Sequence, residues 1–127
     1  MQSRLDRVLV LERAADASIG LETMLMSAGY ETRAAADHLT SLRIVDEWRP
    51  AAVVVDLRVP DRQGYQLGAA LAQAPETEDV PLILVGAISN LLKETPVVPA
   101  GLVPTPVDHD LLVAAVSRAL RREKVAP

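Results

Sequence analysis

The chain has 127 residues, half of them hydrophobic, with no cysteine and a formal net charge of -4. That length and composition predict one globular domain over residues 1–127, large enough for a sizeable core. They exclude disulfides, thiolate chemistry and sulfur-ligated zinc. The acidic balance speaks against direct nucleic-acid binding, which usually needs a basic face. With His38 and His109 the only histidines, a histidine-rich metal site is not expected. No apolar run approaches the roughly 20 residues that span a bilayer. Asp6 and Glu12 interrupt the first apolar stretch, so no signal peptide is read and a cytoplasmic location without membrane contact is expected.

In chain order, Val8, Leu9, Val10 and Leu11 form the first continuous apolar run and predict a strand buried on both faces. A helix follows, capped by Asp16 or Ser18, carrying Leu21, Leu25 and Ala28 and ended by Gly29. Residues 30–34 give a weaker strand. Leu39, Leu42 and Val45 make the stripe of a second helix, which Pro50 stops and Trp48 anchors. Val53, Val54 and Val55 form the third strand. Tyr65, Leu67 and Leu71 belong to a third helix closed before Pro75, and residues 82–85 form a fourth strand. Pro96 and Pro99 limit any fourth helix to one or two turns. Residues 101–103 give a fifth strand. Asp108 caps a last helix whose Leu112, Val116, Ala119 and Leu120 share a face.

Five β-α units predict an α/β fold: a doubly wound, five-stranded parallel sheet with helices on both faces. The flavodoxin-like order 2-1-3-4-5 is expected, with helix four short or irregular. Asp56 then stands at the carboxyl end of the third strand, where open sheets of this kind place their chemistry.

Asp56-Leu57-Arg58-Val59-Pro60 followed by Gly64 resembles the acceptor loop of response regulator receiver domains, the chemotaxis-regulator-like family. Residues 75–81, the Ala28-Gly29-Tyr30 turn and Thr105-Pro106 match the same family in order, from Arg7 to Arg122. The resemblance implies phosphoryl transfer within two-component signalling. Asp56 would be the phosphoacceptor for a histidine kinase, with no catalysis beyond self-phosphorylation and dephosphorylation there. Mg2+ would be held by Glu12, Asp56 and the backbone carbonyl of Arg58. A carboxylate attacks an anionic phosphorus centre only when cations neutralise its oxygens, and Mg2+ takes oxygen ligands, commonly one or two carboxylates with waters.

Three positions depart from the family pattern. Arg13 reverses the sign where a second acid is expected, Gly86 stands at the hydroxyl position, and Thr105 replaces the lysine. Leu102 stands near the family's aromatic switch position. The expected role is therefore that of a degenerate pseudo-receiver acting through protein–protein contacts, with a phosphorylated, Mg2+-dependent receiver as the alternative. A guanidinium from Arg13 is expected to pair with Asp56 or to point to solvent. Ser89 is expected as a helix cap and Thr105 as a turn residue before a cis Pro106. His38 and His109 are expected at the surface beside helix starts, and Met24 and Met26 in packing roles. Val97 and Val98, between Pro96 and Pro99, are the candidate contact surface or else fold onto the core. Expected partners are a histidine kinase or other signalling protein, a second copy in a homodimer, or an effector domain outside this chain. A small-molecule binder or enzyme on this fold is disfavoured, because no Gly-x-Gly-x-x-Gly and no P-loop follow a strand.

Overall fold

The computed structural model describes residues 7–12, 20–59, 62–91 and 99–124. The strands are β1 (Arg7–Leu11), β2 (Glu31–Ala35), β3 (Ala52–Asp56), β4 (Leu82–Gly86) and β5 (Gly101–Pro104). The helices are α1 (Leu21–Ser27), α2 (His38–Trp48), α3 (Gln63–Gln73), α4 (Ile88–Leu91) and α5 (His109–Lys124). All strand pairs are parallel, in the order β2-β1-β3-β4-β5. This is the expected doubly wound sheet, with the expected short fourth helix.

Strand periodicity sorts the core into two layers, because successive side chains point to opposite faces. Val8, Val10, Ala52, Val54, Ile83, Val85 and Val103 pack on one face against Leu21 and Leu25 of α1 and Leu112, Val116 and Ala119 of α5. Leu9, Leu11, Val53, Val55, Leu82 and Leu84 pack on the other against Val45, Trp48, Leu67, Leu71 and Leu91. Apart from Arg7 at the start of β1 and Asp56 at the end of β3, the three central strands therefore carry apolar residues throughout, which is why they read as near-unbroken runs.

The helix boundaries follow local chemistry. Gly29, at φ 98°, ends α1, and its N–H donates to Met26 O. Asp37 caps α2 by accepting from Thr40 N at 2.8 Å, which holds its carboxyl below the ordinary value of 3.8. Asp108 caps α5 through Leu111 N. Trp48 anchors the end of α2 as expected: it is buried, Arg7 donates to its carbonyl at 2.6 Å, and the guanidiniums of Arg7 and Arg33 lie over its ring. Gly64, in the first turn of α3, lies against β3, where a Cβ would overlap Val55 Cγ1.

Some packing expectations are corrected. Leu39 is 66% exposed, because α2 turns Ser41, Val45 and Trp48 inward, one stripe over from Leu39. Ser41 is tolerated there because its hydroxyl donates to Asp37 O at 2.9 Å. Met24 packs on the core, but Met26 is exposed on the far side of α1. Ala28 is the exposed C-cap of α1 and adds nothing to its buried stripe. Asp16 and Ser18 lie outside the described residues, so the start of α1 is seen only from Gly20 onward. No helix among the described residues is long and apolar enough to cross a membrane.

Candidate functional site

The strand register builds the site. Val10 pairs with Val54 and Leu11 with Val55, so the next step along β1 and β3 sets Glu12 beside Asp56 on the α1–α5 side of the sheet. Val85 of β4 pairs with Asp56, which puts Gly86 alongside Leu57. Thr105 is tied to the same edge by its N–H, which donates to Gly86 O at 2.9 Å. The carboxyl edge of the sheet thus gathers Glu12, Asp56, Gly86 and Thr105.

Asp56 is 2% exposed and carries its own counterion two residues away. Arg58 Nε donates to Oδ1 at 3.0 Å and to Oδ2 at 3.1 Å, and Arg58 Nη2 donates to Oδ2 at 2.8 Å. The Arg58 backbone N–H adds a 2.8 Å bond to Oδ1, and Val59 N–H donates to Asp56 O. A carboxylate that accepts from the amide two residues on forms an Asx turn, and that turn brings the guanidinium back over its own strand end. Arg58 thus presents its amide and guanidinium to Asp56. Arg13, expected as a source of such a guanidinium, lies outside the described residues.

Glu12 is also engaged. Its Oε2 accepts from Leu21 N at 2.9 Å, so it serves as a remote cap for α1, whose own N-cap residue is Gly20. A Cβ on Gly20 would come within 2.9 Å of that oxygen, so glycine is what lets the carboxylate approach the helix end. Burial pushes the Glu12 carboxyl above its ordinary 4.5; the N–H groups of Leu21 and Glu22 pull it down, and the carboxylates of Glu22 and Asp56 push it up.

Mg2+ requires oxygen ligands with free lone pairs in near-octahedral geometry. Both Asp56 oxygens face the Arg58 guanidinium, and a Glu12 oxygen faces a helix N-terminus. No group of three or more His, Cys, Asp or Glu that could hold a metal occurs among the described residues. The described residues, as arranged, do not fit the ion.

The remaining positions differ in what they supply. Gly86 has no side chain to supply a hydroxyl, and a Cβ there would stand 3.2 Å from Leu57 Cβ, a tight contact that a small shift of Leu57 would relieve. The Thr105–Pro106 bond is cis, as expected. Leu102 pairs with Leu84 and is 47% exposed, an aliphatic residue with no ring to rotate. Ser89 lies inside α4 and is exposed, so it is not the cap that was expected. His109 is at the surface, and His38 opens α2, its N–H donating to Gln63 Oε1 at 2.9 Å. That bond ties α2 to α3, and no sequence signal announces it. The Arg58 pairing has no counterpart in the sequence reading, which assigns that residue only its backbone carbonyl. Val97 and Val98 lie outside the described residues.

Residues 8–117 match the family model described as response regulator receiver domain. Protein Rrf1 of Nitratidesulfovibrio vulgaris is 32% identical over 114 residues, covering 90% of this chain and 82% of Rrf1. The transcriptional regulatory protein PrrA of Mycobacterium tuberculosis is 34% identical over 85 residues, covering 67% of this chain and 36% of PrrA. The crystal structure of a sensor protein from Polaromonas sp. JS666 superposes with a TM-score of 0.82 at 28% identity, covering 91% of this chain and 96% of that one. Together with the strand order and the Asp56 loop, these likenesses identify the chain as a member of the response regulator receiver domain family.

Proposed function

We propose that this receiver domain is a pseudo-receiver: a protein-interaction module of two-component signalling whose output does not depend on phosphorylation of Asp56. The observation that carries this reading is the guanidinium of Arg58 on both oxygens of a carboxylate that is 2% exposed. A carboxylate nucleophile needs a free lone pair aimed at phosphorus, and the transferred group needs cations and donors around its equatorial oxygens. Here the lone pairs are engaged, Gly86 supplies no hydroxyl, and Thr105 supplies no cation. Removing one preorganised donor from a charge-stabilising site costs on the order of 10²–10³ in rate, and such losses combine without simple additivity.

Interaction is supported by the surface. Ile88 of α4 and Leu102 of β5 are 61% and 47% exposed, on the side of the family fold that carries dimerisation or effector docking. The partner is a histidine kinase or another signalling protein, a second copy of the chain, or an effector domain beyond residues 1–127. The last is in keeping with PrrA, a transcriptional regulatory protein of which the chain spans about a third. The setting is cytoplasmic.

The second reading, a receiver phosphorylated on Asp56 by a kinase with Mg2+, is favoured by one observation. The Arg58 side chain is 48% exposed, so rotation toward solvent would uncover Asp56. Incubation with a small phosphodonor and Mg2+, followed promptly by intact mass measurement, separates the two. The expected result is an unchanged mass; a gain of one phosphoryl group that disappears in Asp56→Ala overturns the pseudo-receiver reading.

A further inference from the structure

We infer that Arg58 is a resident counterion that stands in for a divalent cation at Asp56, so that metal and guanidinium compete for the same carboxylate. This deepens the pseudo-receiver reading and takes its biological meaning from it, but it is measured by metal binding and not by phosphorylation.

The geometry is that of a forked pair. Nε spans both oxygens at 3.0 and 3.1 Å while Nη2 closes on Oδ2 at 2.8 Å. A planar guanidinium matches a carboxylate edge in this way, and a compact ammonium does not. The backbone N–H of the same residue holds Oδ1 at 2.8 Å, so a single residue satisfies Asp56 from two directions. A buried carboxylate without a partner is strongly unfavourable, and this strand end carries one that is 2% exposed. The Arg58 guanidinium supplies the pairing charge.

The neighbouring acid supports the substitution. A site built for a divalent ion would direct Glu12 at the same point as Asp56. Glu12 Oε2 is turned to Leu21 N–H at 2.9 Å, over the start of α1. The Arg58 side chain is 48% exposed, so rotation away from Asp56 does not require the core to open. A metal that binds only the open state loses affinity by the fraction of chains in that state. Competition of this kind predicts a metal affinity that rises when the guanidinium is removed.

The test is a titration of the full chain and of Arg58→Gln with Mg2+, read by calorimetry and by metal-dependent thermal stabilisation, with Asp56→Asn as the control. Arg58→Gln is expected to bind at least about tenfold more tightly than the parent chain, and Asp56→Asn is expected to abolish the gain when combined with it. Equal binding by the parent chain and Arg58→Gln, whether tight or absent, overturns the proposal. Should Arg58→Gln fold poorly, the parent chain decides the matter by NMR. The Arg58 Nε–H resonance is expected to be slow to exchange and to lose that protection in Asp56→Asn; no protection in the parent chain overturns the proposal. The two readings fail separately. Phosphorylation of the parent chain without Mg2+ would remove the pseudo-receiver reading and leave the counterion in place. Tight Mg2+ binding by the parent chain with no phosphoryl transfer would do the reverse.

Discussion

The interior of the sheet and its carboxyl edge obey different rules. Inside, every position of β3 and β4 is buried and apolar up to the last residue, and each side chain belongs to one of two layers. At the edge the backbone keeps the family arrangement, with Asp56 ending β3, Gly86 bonded to Thr105, and a cis bond before Pro106. The side chains hung on that backbone pair with near neighbours. Asp56 turns to Arg58, Glu12 to the start of α1, and Leu57 to the space beside Gly86. A fold is held by volume and burial, which tolerate few exchanges. A site is held by a few donor–acceptor pairings, which can be exchanged while the strands stay where they are.

The sharpest break of this comparison comes from a substitution in each region. Leu9 is fully buried between β1 and the α2–α3 layer. Leu9→Ala is expected to lose about 2–5 kcal/mol through lost burial and a residual cavity, measured by urea denaturation. At the edge, Arg58→Ala leaves the Asp56 carboxylate buried with its backbone N–H bond. Full removal of a partner from a buried pair costs about 3–5 kcal/mol. Because the Arg58 side chain is half exposed and water can replace it in part, about 1–2 kcal/mol is expected. The double variant Arg58→Ala with Asp56→Asn should recover most of that loss, since it removes the stranded charge as well. A double variant no more stable than Arg58→Ala would mean that Arg58 contributes through packing rather than through the pair.

The same division governs what the sequence discloses. The runs at residues 8–11, 53–55 and 82–85 announce buried parallel strands, because burial on both faces leaves no polar position. Gly29 and Asp108 mark helix ends through chemistry local to each. Leu39 misleads, because a stripe of leucines three apart fits α2 in more than one rotation, and tertiary packing chose the one with Ser41 inside. At the site, the position of Asp56 is legible from its loop, but its partner is not. The reading sets the Arg13 guanidinium near it by family alignment, and the Asx turn of the loop brings Arg58 there instead of leaving it to offer a carbonyl alone. The role of Glu12 as a remote cap depends on Gly20, which admits the carboxylate, and on the approach of α1. Neither follows from periodicity.

The smallest expected effect tests whether Glu12 belongs to the structure or to a metal. Its folded carboxyl lies above the ordinary 4.5, chiefly because of burial, so the folded state holds its proton more tightly than the unfolded chain. With a raised folded value, the stabilising contribution is fully present below pH 4.5 and is lost as pH rises through the folded value. At neutral pH the charged Glu12 is therefore mildly unfavourable, despite the attraction of about 0.3–1 kcal/mol that a helix N-terminus offers an anion. Glu12→Gln keeps an oxygen to accept from Leu21 N–H and removes the charge. It is expected to raise stability at pH 7 by no more than about 0.5 kcal/mol, with the difference shrinking as pH falls through the raised folded value toward 4.5. Thermal melts of both chains across that range check it. A clear loss at pH 7 that deepens when Mg2+ is added would instead place Glu12 among metal ligands, and would make the edge of the sheet a working site in place of a rewired one.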